Sequence, residues 1–413
     1  MNGYVIKTEL YKIFSKKYLW VVALFFTVFF ALVSLQAKDS IEVQYPLESL
    51  QGSLAQAAEN PEFLKKADVL ALKWSKKSES IKTMSKETKE FLPPDIIAYT
   101  EQFRDVFIRS GSVADILNYD IVQEAQYYLQ RQNDRQAETE RLQNELASMQ
   151  SMGETESFSY RMTKQEYQLY ATAPKIQPNL TRWGEFADLN KTLLPVFIAF
   201  LVILGLCGIY SDEYANRTQS EMLTSRDGRA GVFGGKLIAG FIYTAVVTAF
   251  FQLVGFGVYA VIFKSPGEDI PLASLPQFYM SPYHFSAQSY YLFQIAGSFL
   301  GAFALAAVVM CLSALAKNAL FPFFLSGGIF VAGFALKKLV ALGAGKSTLL
   351  TFPAELSIFM TMSWQELVAH YRVTDLFGNP VSTVWVNLCV AVLVMVAALL
   401  LCFRFYTKKQ VKN

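Results

Sequence analysis

The stretch that decides the fold is a polar segment held between two long apolar runs. The first run is TLLPVFIAFLVILGLCGIY (Thr192–Tyr210), and the polar segment is SDEYANRTQSEMLTSRDGRAGVFGGK (Ser211–Lys236). The second run starts LIAGFIYTAVV and covers Leu237–Phe263. Neither run contains Asp, Glu, Lys or Arg, and each is long enough to cross a bilayer as a helix. The polar segment is therefore predicted to lie at one membrane face.

Four further stretches share this character, so the 413-residue chain is predicted to contain six spans. A hydrophobic content of 53% is also typical of an integral membrane protein. The six predicted spans are Tyr18–Leu35, Thr192–Tyr210, Leu237–Phe263, Ser289–Ala316, Asn318–Leu336 and Thr383–Phe403. The predicted fold class is an all-α membrane protein whose even number of spans puts both termini on one side.

Basic residues indicate which side that is. Among the short segments, 13 Lys and Arg lie on the face that carries both termini and Ser211–Lys236, against five on the other face. Because cytoplasmic loops carry an excess of Lys and Arg, both termini are predicted to be cytoplasmic. The net charge of +3 combines −6 in residues 37–190 with +9 elsewhere, which favours interaction with membrane lipid over nucleic acid.

The segments outside the spans have distinct characters. Residues 1–17 have the helical period of an interfacial amphipathic helix, although a basic start before an apolar run also occurs in signal peptides. That run is longer than a signal core, so an uncleaved anchor is predicted. Residues 37–190 are predicted to form a large extracellular helical domain, with one long helix over Val113–Met149. This domain is either a helical spacer without a site of its own, or a lid or receptor that contacts the substrate or a partner protein. The other parts are an extracellular segment (337–382) and a cytoplasmic tail (404–413).

Motifs for catalysis or nucleotide binding are absent from the sequence. Gly343–Thr348 resembles a phosphate-binding loop, but Val340 stands where that motif needs Gly. Leu325–Gly328 imitates an ATPase signature inside the fifth predicted span. Glu366 and His370 are four residues apart, but two ligands favour a surface pair over a metal site. The chain is predicted not to be an enzyme, and no catalytic, metal-binding or cofactor-binding residue is predicted in it.

The spans also lack the intramembrane carboxylates and histidines that ion-driven transporters use for coupling. If the chain transports, its energy is therefore expected to arrive through a cytoplasmic partner. Ser211–Lys236, which we call the coupling segment, is the place where such a partner is expected to bind. From the residues alone, the alternative that this segment is only a solvated loop with a helical turn remains open.

The coupling segment resembles the intracellular segment of permeases of type-2 ATP-binding-cassette (ABC) exporters. The family motif runs Glu, Gly-Thr, Leu-Leu, Ser-Pro, Arg and Lys. Arg217 stands where the family usually has Gly, and Arg226 where Pro is common. The residues expected to couple to an ATPase are Glu213, Tyr214, Thr218, Met222, Leu223, Arg226, Arg229 and Lys236.

The resemblance implies a permease subunit that pairs with a second permease, identical or related, above a dimer of separate cytoplasmic ABC ATPase subunits. ATP and Mg²⁺ would be bound by those subunits. Tyr214, Met222 and Leu223 would supply apolar docking contacts, with Glu213, Arg226 and Arg229 at the rim. The expected cargo is amphiphilic (a peptide antibiotic, lipid or envelope precursor), exported across the plasma membrane of a bacterium, on composition a Gram-positive one. The alternative is a non-transporting, membrane-anchored extracellular sensor or scaffold.

Overall fold

A computed structural model of the chain describes residues 3–39, 113–177, 183–215, 228–263, 268–341 and 348–408. The described part is mostly helical, with one two-stranded sheet. The first seven helices are α1 (Gly3–Phe14), α2 (Lys17–Asp39), α3 (Val113–Ser151), α4 (Phe158–Thr172), α5 (Trp183–Asn190), α6 (Leu193–Leu206) and α7 (Ser211–Ala215). The others are α8 (Gly228–Val258), α9 (Ala287–Leu315), α10 (Leu320–Ala341), α11 (Thr348–Glu355), α12 (Ile358–Met362), α13 (Gln365–Ala369) and α14 (Thr383–Lys408).

Six helical stretches in the described part are long and apolar enough to cross a membrane, as predicted. They are Lys17–Gln36, Trp183–Glu213, Gly231–Phe263, Ala287–Leu315, Leu320–Val340 and Thr383–Tyr406. Helices α6 and α9 lie at the centre and bury most of their side chains, whereas α2 and α14 expose much of their apolar surface. A bundle whose outer helices are apolar all round suits a lipid environment.

The second and third of these stretches depart from ideal helices. The second begins at Trp183, closer to the N-terminus than the predicted Thr192, and its helix is interrupted between α5 and α6. Pro195 explains the break, because it cannot donate to the carbonyl four residues earlier. The third ends in a π-helix, Tyr259–Phe263. Both irregularities lie at the same end of the bundle, which we call the insert end because the described part of residues 37–190, the insert, is attached there.

Glycines allow close packing inside the chain. A Cβ added at Gly297 would lie 2.8 Å from the Thr361 carbonyl oxygen, and one added at Gly301 would lie 2.4 Å from Met362 Cγ. These two glycines of α9 therefore leave room for α12 to pack closely against it.

A β-hairpin corrects the purely α-helical prediction. Strands β1 (Val373–Leu376) and β2 (Asn379–Ser382) pair antiparallel across a two-residue turn, within the region predicted only as an extracellular segment. Phe377 and Gly378 both have positive φ (54° and 80°), as a type I′ turn requires. The usual Asn-Gly or Asp-Gly signal is missing, and four-residue strands show little alternation, so the sequence pattern was weak.

The described part of the insert is a helical hairpin docked on the loops of the bundle. Helix α3 confirms the long helix predicted from Val113, and α4 packs back along it. Arg135 donates to the carbonyl oxygens of Tyr279 (3.1 Å) and Ser281 (2.8 Å), and Tyr170 donates to that of Met280 (2.6 Å). These buried side chains attach the hairpin to residues 279–281. Which side of a membrane it faces stays a prediction.

A carboxylate cluster lies between the two helices of this hairpin. Burial and the carboxylates of Glu138 and Glu145 raise the pKa of Glu166 to about 7, although Arg141 opposes the shift. Arg141 itself pairs with Glu138 at 2.6 Å and with Glu145 at 2.9 Å. Glu166 is therefore partly protonated near neutral pH.

Candidate functional site: a buried lysine between two carboxylates

Lys236 is a buried charged residue at the end of the bundle opposite the insert end. It lies two turns into α8, inside a candidate membrane span, and only 2% of its side-chain surface is exposed. Removing an ammonium group from water costs several kcal/mol unless its charge and its N–H groups find partners. The surroundings of Lys236 supply such partners from three separate segments.

Three oxygens surround the ammonium group. Lys236 Nζ lies 2.9 Å from Glu9 Oε2 and 2.8 Å from Glu213 Oε1, and it donates to the Ile209 carbonyl oxygen at 2.8 Å. The contact with Glu213 is an ion pair without hydrogen-bond geometry. Two of the three ammonium donors are thus used in hydrogen bonds, to Glu9 and to Ile209, while Glu213 adds a second negative charge. The lysine thus ties α1, α7 and the end of the second span to α8, and we call Glu9, Glu213 and Lys236 the triad.

Glu9 enters the triad from α1 and is itself only 5% exposed. Burial by itself raises the pKa of Glu9, but the charges and hydrogen bonds of Lys236 and Lys12 more than offset this, so its pKa lies below the ordinary value of 4.5. Lys12 Nζ lies 2.6 Å from the second carboxylate oxygen. Glu9 is therefore ionised at neutral pH and serves as a fixed counter-charge for Lys236.

Glycine brings α1 close enough to form the triad. A Cβ added at Gly235 would lie 2.5 Å from Val5 Cγ1, so a larger residue there would push α1 away from α8. Because Gly235 immediately precedes Lys236, displacement of α1 would also withdraw Glu9 from the ammonium group. Gly235 thus lets α1 pack directly against α8.

Aromatic and hydroxyl groups fix the chain just before α7. The backbone N–H groups of Tyr210 and Ser211 both donate to Ser313 Oγ, each at 3.1 Å. The Tyr210 ring lies 5.9 Å from Lys236 Nζ and 5.2 Å from the ring of Tyr406. A ring face this close to a cation adds favourable electrostatics. Helices α9 and α14 thereby join the structure around the triad.

The predicted coupling residues fall into three groups. Glu213 and Lys236 are brought together in the triad, with both carboxylate and ammonium group buried. Tyr214 lies in α7 and Arg229 in α8, where only the backbone is described. The rest lie outside the described residues: Thr218, Met222, Leu223 and Arg226.

Sequence reasoning missed Glu9, Tyr210 and Ser313. Glu9 did offer a signal, because it is the only acidic residue before Asp39 in a segment otherwise rich in lysine. Its partner is 227 positions away, and a spacing of that kind follows no helical period. Ser313 offered none, since serines are common in apolar helices.

Other candidate sites from the sequence find simpler structural uses. Glu366 pairs with Lys337 at 3.1 Å rather than with His370. In the described ranges no group of three or more His, Cys, Asp or Glu is placed to hold a metal ion. The residues that resemble a phosphate loop lie mostly outside the described part, in 342–347.

Comparison with known proteins does not assign the chain to a family. No family model matches the sequence, and no curated protein matches it either.

Proposed function

We propose that this chain is the transmembrane permease subunit of an ABC exporter, which couples ATP hydrolysis by a separate ATPase subunit to export of an amphiphilic substrate. One observation carries the proposal. The triad joins the two ends of the coupling segment to each other and to α1, at the end of a bundle of six apolar helices. A segment clamped in this way can transmit force to the spans on either side.

The triad gives Glu213 and Lys236 a positioning role in this mechanism. Their charges are satisfied within the chain, so docking of an ATPase subunit falls to Tyr214, Met222, Leu223, Arg226 and Arg229 between them. Movement of this docking region would pull on Glu213 and Lys236 together. Helices α6 and α8 would then shift as one unit with α1, which is how packed helices convert a local displacement into a larger rearrangement.

The orientation required by this mechanism agrees with the charge distribution. The triad end carries Lys7 and Lys12 of α1, Lys16 just after it, and the arginines of the coupling segment. An excess of Lys and Arg favours the cytoplasmic face, where ATPase subunits are found. The second permease subunit would complete the path for substrate, and the insert would lie outside the cell.

The test is co-purification of an ATPase subunit. The tagged full chain is extracted from its native membrane in mild detergent, and associated proteins are identified by mass spectrometry. We expect an ABC-type ATPase, whose recovery falls at least tenfold when Met222 and Leu223 are both replaced by Asp. Apolar anchors at the centre of an interface dominate its affinity, and a buried carboxylate there is strongly unfavourable.

A matched control uses an apolar residue remote from the coupling segment. Met152→Asp changes a methionine that is 71% exposed at the insert end, and it should leave ATPase recovery unchanged. Absence of any ABC-type ATPase from the purified wild-type chain would contradict the proposal. Equal recovery with the Met222→Asp/Leu223→Asp variant would also contradict it.

A second candidate function is a membrane-anchored extracellular sensor or scaffold, favoured by the firm attachment of the insert hairpin through Arg135 and Tyr170. Deletion of residues 40–177 separates the two candidates. It keeps α5, whose Trp183 and Phe186 are buried in the bundle. A permease should retain its ATPase partner and basal ATP turnover after this deletion. A sensor should lose its output entirely and have no ATPase to retain.

A further inference from the structure

Two buried side chains at the insert end have polar atoms without partners among the described residues. Asn190 is 5% exposed, and neither its amide nitrogen nor its amide oxygen makes a hydrogen bond within the described part of the chain. Trp183 is 4% exposed, and its indole N–H has no acceptor in the same part of the chain. Unpaired buried polar groups are rare in folded proteins because each costs about 1–3 kcal/mol. Finding three such atoms on one short helix, α5, calls for an explanation.

Both residues line the same cavity. Its other walls combine aromatic, aliphatic and polar side chains, and its free volume of about 10 Å³ has room for about one water molecule or one small polar group. The lining residues that matter here are Trp183, Phe186, Asn190, Lys191, Tyr290 and Tyr291. Aromatic side chains beside a few unsatisfied polar groups are typical of ligand sites, and a cavity this small has room for one polar group of a larger ligand rather than for a whole ligand.

The backbone around the cavity is irregular in the manner of such sites. Asn190 is the last residue of α5, immediately before the helix break. Opposite it, the π-helix Tyr259–Phe263 places Tyr259 4.4 Å from the Trp183 ring. Gly255 keeps the space beside the amide open, since a Cβ there would lie 3.4 Å from Asn190 Oδ1. Broken helices and π-helices inside membrane spans often mark binding sites.

The charges around the cavity indicate an uncharged occupant. Lys191 is the cation among the lining residues, and Asp188 already neutralises it at 2.6 Å. The unmet groups are one neutral amide and one neutral N–H, which hydroxyl, ester or amide groups satisfy. Leu253 and Phe256 lie within two residues of Gly255, and Leu292 follows Tyr291; they are 70%, 51% and 59% exposed, and the Phe256 ring stacks on Tyr291. An apolar tail could lie along these side chains.

We propose that this cavity binds the uncharged polar head of an amphiphile, whose hydroxyl or carbonyl group reaches Asn190 and Trp183 while its tail lies along Leu253, Phe256 and Leu292. The site is distinct from the triad and lies at the opposite end of the bundle. Binding there needs neither ATP nor a partner, so its test is independent of the proposed function.

The experiment measures binding of tritiated 1,2-dioctanoylglycerol to the full chain in phosphatidylcholine nanodiscs. We expect saturable binding to the wild-type chain. Trp183→Phe keeps the ring but removes the N–H, and should weaken binding about two- to tenfold, the effect of one hydrogen bond between neutral groups. Trp385→Phe is the matched control, because Trp385 is 58% exposed at the start of α14, and it should bind as wild type does.

Asn190→Leu distinguishes a binding role of the asparagine from a structural one. Leucine removes the buried unpaired amide, so this variant should unfold at the same temperature as wild type or higher, yet bind the lipid at least tenfold less tightly. A merely structural asparagine would lower stability when replaced. Non-saturable partitioning equal in all variants would overturn the proposal. So would tighter binding of dioctanoyl phosphatidic acid, or a cryo-EM map with only an ordered water at Asn190.

Discussion

Replacing Lys236 by Met tests the triad directly. Methionine retains the length of the side chain but removes the charge, so the carboxylates of Glu9 and Glu213 stay buried without their shared partner. Glu9 keeps Lys12 at 2.6 Å, whereas Glu213 loses an ion pair at 2.8 Å and is 6% exposed. Breaking a buried ion pair from one side costs about 3–5 kcal/mol, and most of it should arise at Glu213.

The assay is thermal unfolding of the purified full chain in nanodiscs, followed by intrinsic tryptophan fluorescence. At about 2 °C per kcal/mol for a long chain, Lys236→Met should lower the midpoint by roughly 6–10 °C. The double variant Lys236→Met/Glu213→Gln removes both charges and should recover part of this loss. Recovery is expected because a neutral pair avoids the penalty of an isolated buried charge.

Lys12→Met is the matched control. Lys12 also pairs with Glu9, but its side chain is 48% exposed, so its loss should cost less than about 1 kcal/mol. The reasoning would be refuted if Lys236→Met unfolded at the wild-type temperature, or if the double variant were no more stable than the single one. Either result would mean that the triad does not hold the helices together.

Four further predictions concern Glu9 of the triad and three residues outside it. Because the pKa of Glu9 is lowered, its stabilising effect should be complete above about pH 4.5 and disappear at lower pH, and Glu9→Gln should abolish this part of an acid-unfolding curve. The pKa of Glu166 is raised, to about 7, so the pH dependence of stability runs the opposite way. Protection of α3 and α4 from hydrogen exchange should fall as pH rises from 4.5 to 7, and Glu166→Gln should flatten this change. Arg135→Met should cost about 2–3 kcal/mol by removing hydrogen bonds to one buried and one partly buried carbonyl group, seen as faster proteolysis of the insert hairpin. Phe377→Asn, at a 98% exposed turn position with φ 54°, should raise the unfolding midpoint slightly, and a lowered midpoint would contradict the strain argument.

The coupling segment shows where sequence reasoning about a site succeeds and where it stops. Its place between the second and third predicted spans follows from hydropathy, and in the structure the flanking helical stretches extend into it, one to Glu213 and the other from Gly231. The sequence interpretation put Glu213 at the rim of a docking surface, whereas in the structure its carboxylate faces Lys236 inside the chain. A charge on a polar segment carries no local mark that distinguishes these two uses, because the difference depends on what α1 brings to the same place.

The sequence by itself determined the six spans, the polar segment between two of them and the long helix from Val113. Each depends on a local property: an uncharged apolar length that covers a bilayer at 1.5 Å per residue, or a run of good helix formers. Tertiary structure alone decided the pairing of Glu9 with Lys236, the docking of Arg135 on two loop carbonyls and the cavity at Asn190. Those contacts join residues far apart in the chain, and they exist only because packed helices place them side by side.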